Sequence, residues 1–462
     1  MFLLRLSQLH QGLYGDEVWT HQDVINQGFG AMIRGVHTGA ENSPPLFFIL
    51  AWLSAKLGDP TVWIRLPSLL LGTATIPLLY LVGREIATPR AGLLGAALVG
   101  LSPFSLYYGV EARPYASMAF FVVLSTWALL KAIDTRRRAW WVLYSVAVLG
   151  AAYSHYTSVF VLGAQAVWSL WVLRGRLREP LVANAISALL YLPWISHIRG
   201  KSLAVIGSLQ PLNAHNVVRD LARVTGGYPY AFPHQIPTIP GLVAIVACGA
   251  GGAAWWLVRT RIPAGTSRYD LRTRLRSRQV LLLLLTFATP VGLLVYSMLA
   301  TDLWLSRGLS ASIPYGCLLL ACALLAPRRA ISIAMGVLVL GIYGFGTIRA
   351  LSPTFQRPQF RELAGYLDRV AGPRDPVVAD PIFAGPTMAA EFHRTHRMVA
   401  PAPNQWQFVT PGGTTWVVLD DASVKSLVNP VPYTPVPKDF RLITRRHYGG
   451  LLPVTLLGYR RQ

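Results

Sequence analysis

The sequence has few charged residues, and few acidic ones in particular. Charged residues make up 13% of the 462-residue chain, whereas a soluble domain has about 25%. The hydrophobic fraction is 53% and the mean hydropathy is +0.42. This composition excludes an ordinary soluble protein and predicts an integral membrane protein.

Cysteine is also scarce, and no metal-binding motif is present. The three cysteines all lie inside apolar segments: Cys248, Cys317 and Cys322. They are interpreted as small core residues, which excludes a disulfide framework. The sequence contains neither CxxC nor HExxH. No metal site or cofactor is therefore assigned, although a divalent cation held by Asp16, Glu17 or Glu111 stays open.

Basic residues outnumber acidic ones by 42 to 20, which gives a net charge of +22. In a soluble protein this excess would indicate nucleic acid. Here the arginines lie in short loops between apolar segments, where they set membrane topology. The partner predicted from this distribution is membrane lipid, and no nucleic acid is expected.

Ten apolar segments follow one another as predicted membrane-spanning helices. They cover approximately 62–82, 91–108, 114–133, 139–155, 157–173, 181–198, 238–258, 279–300, 308–326 and 330–350. The apolar run 139–173 is too long for one span, so we split it at 154–157. Residues 1–13 are interpreted as a stub of one further helix, and a late start would explain why that helix is short.

The basic loops predict the topology. With an inside N-terminus, every dense cluster of arginines falls in the cytoplasm, as the positive-inside rule requires. This gives an all-α polytopic protein of about eleven spanning helices in the plasma membrane. The first extracytoplasmic loop, 14–61, would contain an interfacial helix from Asp16 to Arg34, a loop from Gly35 to Ser43 and an apolar run, 46–57, too short to span.

Past Ser352 the composition changes. The stretch 360–370 predicts an amphipathic helix, and 375–380 and 415–420 predict buried strands. The chain therefore divides into a transmembrane catalytic domain, 1–352, and a small extracytoplasmic α/β domain, 353–462. Trp406 and Trp416 are candidate rings for stacking on an acceptor sugar.

Asp16 and Glu17 are the candidate catalytic acids. Acids are common at the start of a helix because the helix dipole favours them. A partly desolvated carboxylate at a membrane face can instead act as a general base on a hydroxyl. The sequence alone leaves both interpretations open.

The other candidates are predicted to lie on the same side of the membrane and to bind the donor phosphate or the substrate: Glu41, Glu111, Arg113, Tyr115, His155 and Arg307. Outward-facing arginines run against the positive-inside trend, and a guanidinium matches the geometry of a phosphate. The structural alternatives are a turn at Glu41, a hydrogen-bonded turn at His155 and an ion pair between Arg307 and Asp302.

An ordered set of motifs resembles the GT-C superfamily of membrane glycosyltransferases, and most closely the bacterial family 39 enzymes. The set is Tyr14-Gly-Asp-Glu17, Ser43-Pro-Pro-Leu-Phe-Phe48, Ile64-Arg-Leu-Pro-Ser68, Leu79-Tyr-Leu-Val-Gly-Arg84, Leu101-Ser-Pro-Phe104, Tyr108-Gly-Val-Glu-Ala-Arg-Pro-Tyr115 and Tyr153-Ser-His-Tyr156. That family includes protein mannosyltransferase-like and lipid A aminoarabinose transferase-like proteins. The resemblance covers 1–175 closely and 300–350 loosely.

The resemblance implies an inverting hexosyl- or pentosyltransferase, mannosyltransferase-like, that uses a polyprenyl-phosphate-linked sugar. It implies Asp16 as the base and a glycan, lipid or protein acceptor on the outer face of the membrane. Several relatives carry a basic residue shortly after the acidic pair and another just before the paired prolines. Here Val18-Trp19 and Ser43 take those places, so phosphate binding would fall to Arg113, Arg307 or His155.

Two other classes of function stay open. In a polytopic transporter or lipid flippase, the same charged residues would line a substrate path. Such a protein is expected to carry charges at mid-membrane and internal repeats, and neither is evident here. A non-catalytic partner in cell-envelope assembly would keep the same topology.

Overall fold

The computed structural model describes residues 1–25, 27–38, 41–199, 211–226, 238–259, 278–381, 383–402, 404–420 and 432–462. These residues form two compact units. The first unit comprises Met1–Leu6, Gln27–Ala51 and Arg65–Ile348. The second comprises Ser7–Asn26, Trp52–Ile64 and Arg349–Gln462. The second unit thus combines two segments of the predicted first loop with the C-terminal region, while the boundary near residue 352 stays a prediction.

The helices of the described residues, in chain order, are α1 Phe2–Leu6, α2 Asp16–Val24, α3 Phe29–Thr38, α4 Leu46–Ser54, α5 Pro60–Trp63, α6 Leu66–Ile86, α7 Pro89–Leu101, α8 Pro103–Tyr108, α9 Tyr115–Thr135, α10 Arg138–Ala152, α11 Ser158–Val172, α12 Arg178–Arg199, α13 Ala214–Gly226, α14 Thr238–Arg259, α15 Arg278–Leu299, α16 Ile313–Leu325, α17 Arg329–Ala350, α18 Phe360–Val370 and α19 Ala384–Glu391. Short 3-10 helices span Ala55–Leu57, Ser306–Ala311, Pro353–Phe355 and Gln405–Phe408.

Among the described residues, four helices are long and apolar enough to cross a membrane: Pro60–Ile86, Tyr115–Thr135, Arg278–Leu299 and Arg329–Ala350. Shorter apolar helices accompany them, including α7, α10, α11 and α16. Of the four spans, Tyr115–Thr135 has the largest share buried inside the protein, 61%. The predicted fold class, a helical membrane protein with a small α/β region, is confirmed, while the number of eleven spans stays a prediction.

The break predicted within 139–173 is confirmed. Helix α10 ends at Ala152 and α11 begins at Ser158. The turn between them is closed by backbone hydrogen bonds, since the Ser154 and His155 N–H groups both donate to the Ala151 carbonyl, at 3.1 Å. This turn holds His155 between two short helices.

The prediction of one continuous helix over 91–108 is wrong. The structure has two helices, α7 and α8, separated at Ser102. A residue that precedes proline is disfavoured in the helical region, and Ser102 is extended, with φ −63° and ψ 119°. Its hydroxyl then caps α8 by accepting the Ser105 N–H at 3.3 Å. Pro103 therefore both ends α7 and starts α8.

The single interfacial helix predicted from Asp16 to Arg34 is also wrong. Helix α2 ends where Ile25 becomes extended, with ψ 142°, and α3 begins at Phe29. Helix α3 then continues to Thr38, through part of the predicted loop 35–43. Glycine at position 28 favours this interruption because it weakens a helix interior.

The C-terminal part of the second unit contains a mixed five-stranded sheet in the order β2-β1-β3-β5-β4. The strands are β1 Pro376–Val378, β2 Arg397–Val399, β3 Thr414–Asp420, β4 Phe440–Tyr448 and β5 Val454–Arg461. Strand β1 pairs in parallel with β2 and β3, whereas β3–β5 and β5–β4 are antiparallel. Helices α18 and α19 cover one face with apolar side chains. The predicted α/β character is confirmed.

The proposed sugar-stacking role of two tryptophans is wrong. Trp406 is 4% exposed and Trp416 is 3% exposed, and each packs in a hydrophobic cluster of the sheet. The Trp406 indole N–H donates to the hydroxyl of Thr434 at 2.8 Å. Both rings are core residues and offer no face to a ligand.

Candidate active site

A glycine turn positions the acidic pair at the start of α2. Gly15 has φ +58° and ψ −127°, a conformation that side chains with a Cβ rarely adopt. Asp16 and Glu17 are the first two residues of the helix that follows. Asp16 is half-buried and Glu17 is fully buried. The two neighbouring acids therefore have different environments.

Glu17 forms a buried ion pair within the second unit. Arg357 Nε lies 3.1 Å from Glu17 Oε2, and the two side chains are 1% and 0% exposed. The Arg357 backbone N–H donates to Gln11 Oε1 at 3.0 Å. We call residues 7–26 the acid loop. Arg357, which follows the last apolar helix, thus contacts this loop twice, and sequence reasoning missed it because no local pattern distinguishes it from other arginines.

A second set of contacts ties the acid loop to α19. Glu391 Oε1 accepts the Leu13 N–H at 2.7 Å, and Glu391 Oε2 accepts from Arg361 Nε at 2.9 Å. Arg361 also donates to the Thr61 hydroxyl. Three segments of the second unit are therefore linked by buried or half-buried charged groups.

In the first unit, Arg113 and Glu41 form a bidentate ion pair. Arg113 Nη1 lies 2.8 Å from Glu41 Oε2, and Nη2 lies 3.1 Å from Oε1. The side chains are only 10% and 5% exposed. Burial raises the pKa of Glu41, but the charge and hydrogen bonds of Arg113 outweigh it and hold the pKa below its ordinary value. Glu41 is therefore ionised and neutralises Arg113.

Several motif residues brace this pair through the backbone. The Ser68 hydroxyl donates to the carbonyl oxygen of Arg113 at 3.2 Å, and the Arg113 N–H donates to the carbonyl oxygen of Glu111 at 2.7 Å. Leu46, just after the paired prolines, donates its N–H to the Tyr153 carbonyl at 3.0 Å. Motifs that are far apart in the sequence thus meet in one unit.

His155 is held in a defined orientation as a neutral ring. Its Nδ1 accepts the Thr157 N–H at 3.3 Å and contacts the Thr157 hydroxyl at 2.9 Å. Burial is the main cause that lowers the pKa of His155, and with the charges of Arg113 and Arg307, partly offset by Glu41, it brings the pKa to about 3. At neutral pH the proton is therefore on Nε2, which makes that atom a hydrogen-bond donor.

The set that the sequence predicted in this unit also includes Tyr115, Arg307 and Glu111, of which Glu111 is buried. The Tyr115 ring lies 5.4 Å from the His155 ring, centroid to centroid. Arg307 is half-buried in the 3-10 helix Ser306–Ala311, and its charge acts on His155. We call Glu41, Arg113, Tyr115, His155 and Arg307 the Arg113 cluster.

The carboxylates considered for a divalent cation do not form an evident metal site. Across the described ranges, no group of three or more His, Cys, Asp or Glu side chains is placed to hold a metal ion. Of the three carboxylates considered, Asp16, Glu17 and Glu111, Glu17 is engaged by Arg357. The sequence also offered an ion pair between Asp302 and Arg307. In the structure the Asp302 carboxylate accepts two backbone N–H groups, from Leu212 at 2.6 Å and from Trp304 at 3.1 Å.

The first unit is that of a polytopic membrane protein, and its polar motif side chains lie in loops between apolar helices. Residues 42–197 match the family model described as dolichyl-phosphate-mannose-protein mannosyltransferase. This segment contains most of the Arg113 cluster. No curated protein matches the sequence.

Solved structures of membrane enzymes have a similar fold. The apo crystal structure of ArnT from Cupriavidus metallidurans has a TM-score of 0.59 at 12% identity, and the match covers 98% of this chain and 96% of that chain. ArnT bound to undecaprenyl phosphate has a TM-score of 0.51 at 12% identity, with the same coverage. The Archaeoglobus fulgidus oligosaccharyltransferase tethered to an acceptor peptide has a TM-score of 0.52 at 14% identity, covering 91% and 68%.

These matches confirm the resemblance stated from the motifs. The chain has the fold of the GT-C membrane glycosyltransferases, and its segment 42–197 is similar in sequence to the mannosyltransferase family.

Proposed function

We propose that this protein is an inverting glycosyltransferase that moves a sugar from a polyprenyl-phosphate donor to an acceptor hydroxyl on the outer face of the plasma membrane. The fold and the match over 42–197 support the reaction class. The donor class is supported by ArnT, which was solved with undecaprenyl phosphate. The sidedness rests on the distribution of arginines between loops.

The observation that carries the proposal is the contrast within the acidic pair. Glu17 is 0% exposed and its carboxylate is paired with Arg357, so it is not placed to touch an acceptor. Asp16 is half-buried and follows the Gly15 turn directly. We therefore assign the base to Asp16 and a positioning role to Glu17, because Glu17 anchors the first turn of α2.

In the proposed step, the acceptor oxygen attacks the anomeric carbon while Asp16 takes the hydroxyl proton. The bond between the anomeric carbon and the phosphate oxygen breaks, and polyprenyl phosphate leaves with the bonding electrons. The attack from the opposite face inverts the anomeric centre. General-base assistance of this kind contributes about 10²–10⁴-fold to the rate.

The Arg113 cluster supplies donors for the leaving phosphate. Glu41 neutralises Arg113 and uses both of its terminal nitrogens, so we assign Arg113 mainly to positioning. Arg307 brings a positive charge that acts on His155, and neutral His155 presents Nε2–H. Fixed donors aimed at a developing anion are effective because they need no reorganisation during the reaction.

The test is transfer from labelled polyprenyl-phosphate sugars by the purified full chain in lipid nanodiscs. Asp16→Asn keeps the shape and removes the base, so turnover should fall about 10²–10⁴-fold. Asp23→Asn, on the same helix, is the matched control and should retain most turnover.

Two results would count against the proposal. Asp16→Asn that inserts normally and keeps most of its transfer activity would remove Asp16 as the base. Wild-type protein that moves lipid across vesicles without forming a glycosidic product would establish the transporter alternative.

A further inference from the structure

Strand β4 forms one edge of the five-stranded sheet. In the order β2-β1-β3-β5-β4 it is the last strand, and among the described strands its neighbour is β5 alone. It is nine residues long, from Phe440 to Tyr448, which is longer than a typical strand. The outward row of backbone N–H and C=O groups on a long edge is a template on which a further strand can pair.

A bulge at Ile443 divides this edge. Leu442 and Thr444 have direct partners on β5, whereas Ile443 between them has no residue opposite it on that strand. The pairing with β5 is then continuous from Thr444 to Tyr448. Bulges restrict pairing along an edge, so the regular part of β4 that can receive another strand is 444–448.

The hairpin of β4 and β5 is strongly basic. Across 438–461 it contains one acid, Asp439, which pairs with Arg461 through Oδ2 and Nε at 2.9 Å. The lysine and arginine residues of this stretch number six: Lys438, Arg441, Arg445, Arg446, Arg460 and Arg461. All of them except Arg461 are exposed. We call residues 438–461 the basic hairpin, whose charge suits a negatively charged partner.

Two arginines of the basic hairpin lie directly opposite each other. Arg441 on β4 is the cross-strand partner of Arg460 on β5, and like charges in this position destabilise a sheet. Arg446 lies on the same face, because its own partner, Leu456, is four residues from Arg460 and side chains alternate along a strand. Its guanidinium carbon is 4.0 Å from the centre of the Tyr366 ring, which holds this cation in place. Carboxylates placed here would relieve the repulsion and meet a fixed donor.

Exposed aliphatic side chains lie among these charges. Leu442 is 45% exposed and Ile443 is 42% exposed. An anionic polysaccharide has little apolar surface to cover them, whereas a protein segment supplies both carboxylates and apolar side chains. A second copy of the same edge would bring arginine against arginine, which disfavours self-pairing. The composition therefore favours a different protein with an acidic segment.

We propose that the basic hairpin binds an acidic, extended segment of another protein, which adds to β4 as a further strand beside 444–448. Main-chain hydrogen bonds hold the segment on the edge, and its alternating side chains reach both faces of the sheet. Arg445 and Arg446 point to opposite faces for the same reason, so each meets one set of carboxylates. Past the bulge, the segment reaches Arg441. This interaction does not depend on the proposed function.

The experiment measures binding of a labelled acidic peptide, in which glutamate alternates with threonine, to the full chain in phosphatidylcholine nanodiscs by fluorescence anisotropy. The peptide should bind, and a peptide with lysine in place of glutamate should not. The variant Arg441→Gln/Arg445→Gln/Arg446→Gln removes the charges and keeps polar side chains at the surface. Since each exposed ion pair contributes modestly, the loss of all three should raise the dissociation constant about 3- to 100-fold.

The matched control variant is Arg90→Gln/Arg137→Gln/Arg329→Gln, which removes the same charge from exposed arginines of the first unit. It should bind the acidic peptide as the wild type does. An equal loss of affinity in both variants, at wild-type melting temperatures, would mean that only net charge matters and would overturn the site. An acidic peptide that binds the wild type no better than the lysine peptide would overturn it as well.

Strand addition is distinguished from charge alone on the wild-type protein. Amide hydrogen exchange in 444–448 should slow when the acidic peptide is bound, because outward N–H groups gain acceptors. The same peptide N-methylated at every residue keeps its carboxylates but donates no main-chain hydrogen bonds, so it should bind about tenfold more weakly. Unchanged exchange, or equal binding of the N-methylated peptide, would reject the added strand. Polygalacturonate that binds through the same arginines, while the peptide does not, would replace the protein partner with an anionic glycan.

Discussion

Asp16 and Glu17 show how two adjacent acids of one chain acquire different environments. Both are carboxylates in the first turn of α2, where the helix dipole stabilises negative charge. The Glu17 carboxylate reaches the buried guanidinium of Arg357. Burial of a charge is tolerated because the opposite charge is buried with it. Burial beside Arg357, and not residue type, distinguishes Glu17 from the half-buried Asp16.

Removal of Arg357 should destabilise the second unit strongly. Arg357→Met leaves the Glu17 carboxylate buried without its partner, and loss of one member of such a pair costs about 3–5 kcal/mol. The expected result is a lower thermal unfolding midpoint and reduced transfer, measured on the purified protein.

The double variant Glu17→Gln/Arg357→Met is the control for this prediction. It removes both charges, so its destabilisation should be smaller than the sum of the two single effects. Purely additive effects would mean that the two side chains do not interact energetically.

Arg113 shows the same dependence on a partner in the first unit. The sequence predicted Arg113 as a phosphate ligand because an outward arginine is unusual, and it placed Glu41 in the same substrate-binding set, with a turn as the alternative. The structure joins the two as a bidentate pair. The sequence therefore grouped these two residues but could not foresee their mutual neutralisation.

At the scale of elements, the apolar segments predicted most helices well. The spans expected at 238–258, 279–300 and 330–350 coincide closely with α14, α15 and α17. The errors fall at Ser102 and Ile25, where helices break at positions with an extended backbone. Hydropathy does not detect such breaks because the apolar pattern continues through them.

The start of α2 should be sensitive to a single methyl group. Gly15→Ala places a Cβ on a backbone with φ +58° and ψ −127°, although no described atom lies within 4 Å of that Cβ. The cost is therefore conformational strain, about 1–3 kcal/mol. Relief of that strain should move Asp16 and reduce turnover with little change in expression.

Gly336→Ala provides the matched control for this substitution. It lies in α17, and a Cβ there also meets no described atom within 4 Å. Because its backbone is helical, alanine should be neutral or slightly stabilising. Equal turnover of the two variants would contradict the role assigned to the Gly15 turn.

At the scale of the whole molecule, the C-terminal region is integrated with the acid loop in the second unit. Arg357 and Glu391 both bond to this loop, through Glu17 and through the Leu13 N–H. Trp406 and Trp416 were the reason to expect that the C-terminal region binds the acceptor, and both are buried. Its contacts instead point to support of the proposed base.

Truncation after Ser352 should therefore abolish transfer to every acceptor, because it removes both partners of the acid loop. The measurement compares turnover of the truncated and full chains at equal membrane expression. Glu391→Gln in the full chain removes one ion-pair partner and should give a partial loss. Full activity of the truncated chain would show that the C-terminal region is dispensable.

The sequence by itself determined the membrane character, most of the helices and the α/β nature of the C-terminal region. These properties follow from the length of apolar runs and from residues close together in the chain. Only the tertiary structure decided which charges are neutralised: Glu17 by Arg357, Glu41 by Arg113, and Arg5 by no described acid. Such pairings join distant parts of the chain, and burial makes each of them either strongly stabilising or costly.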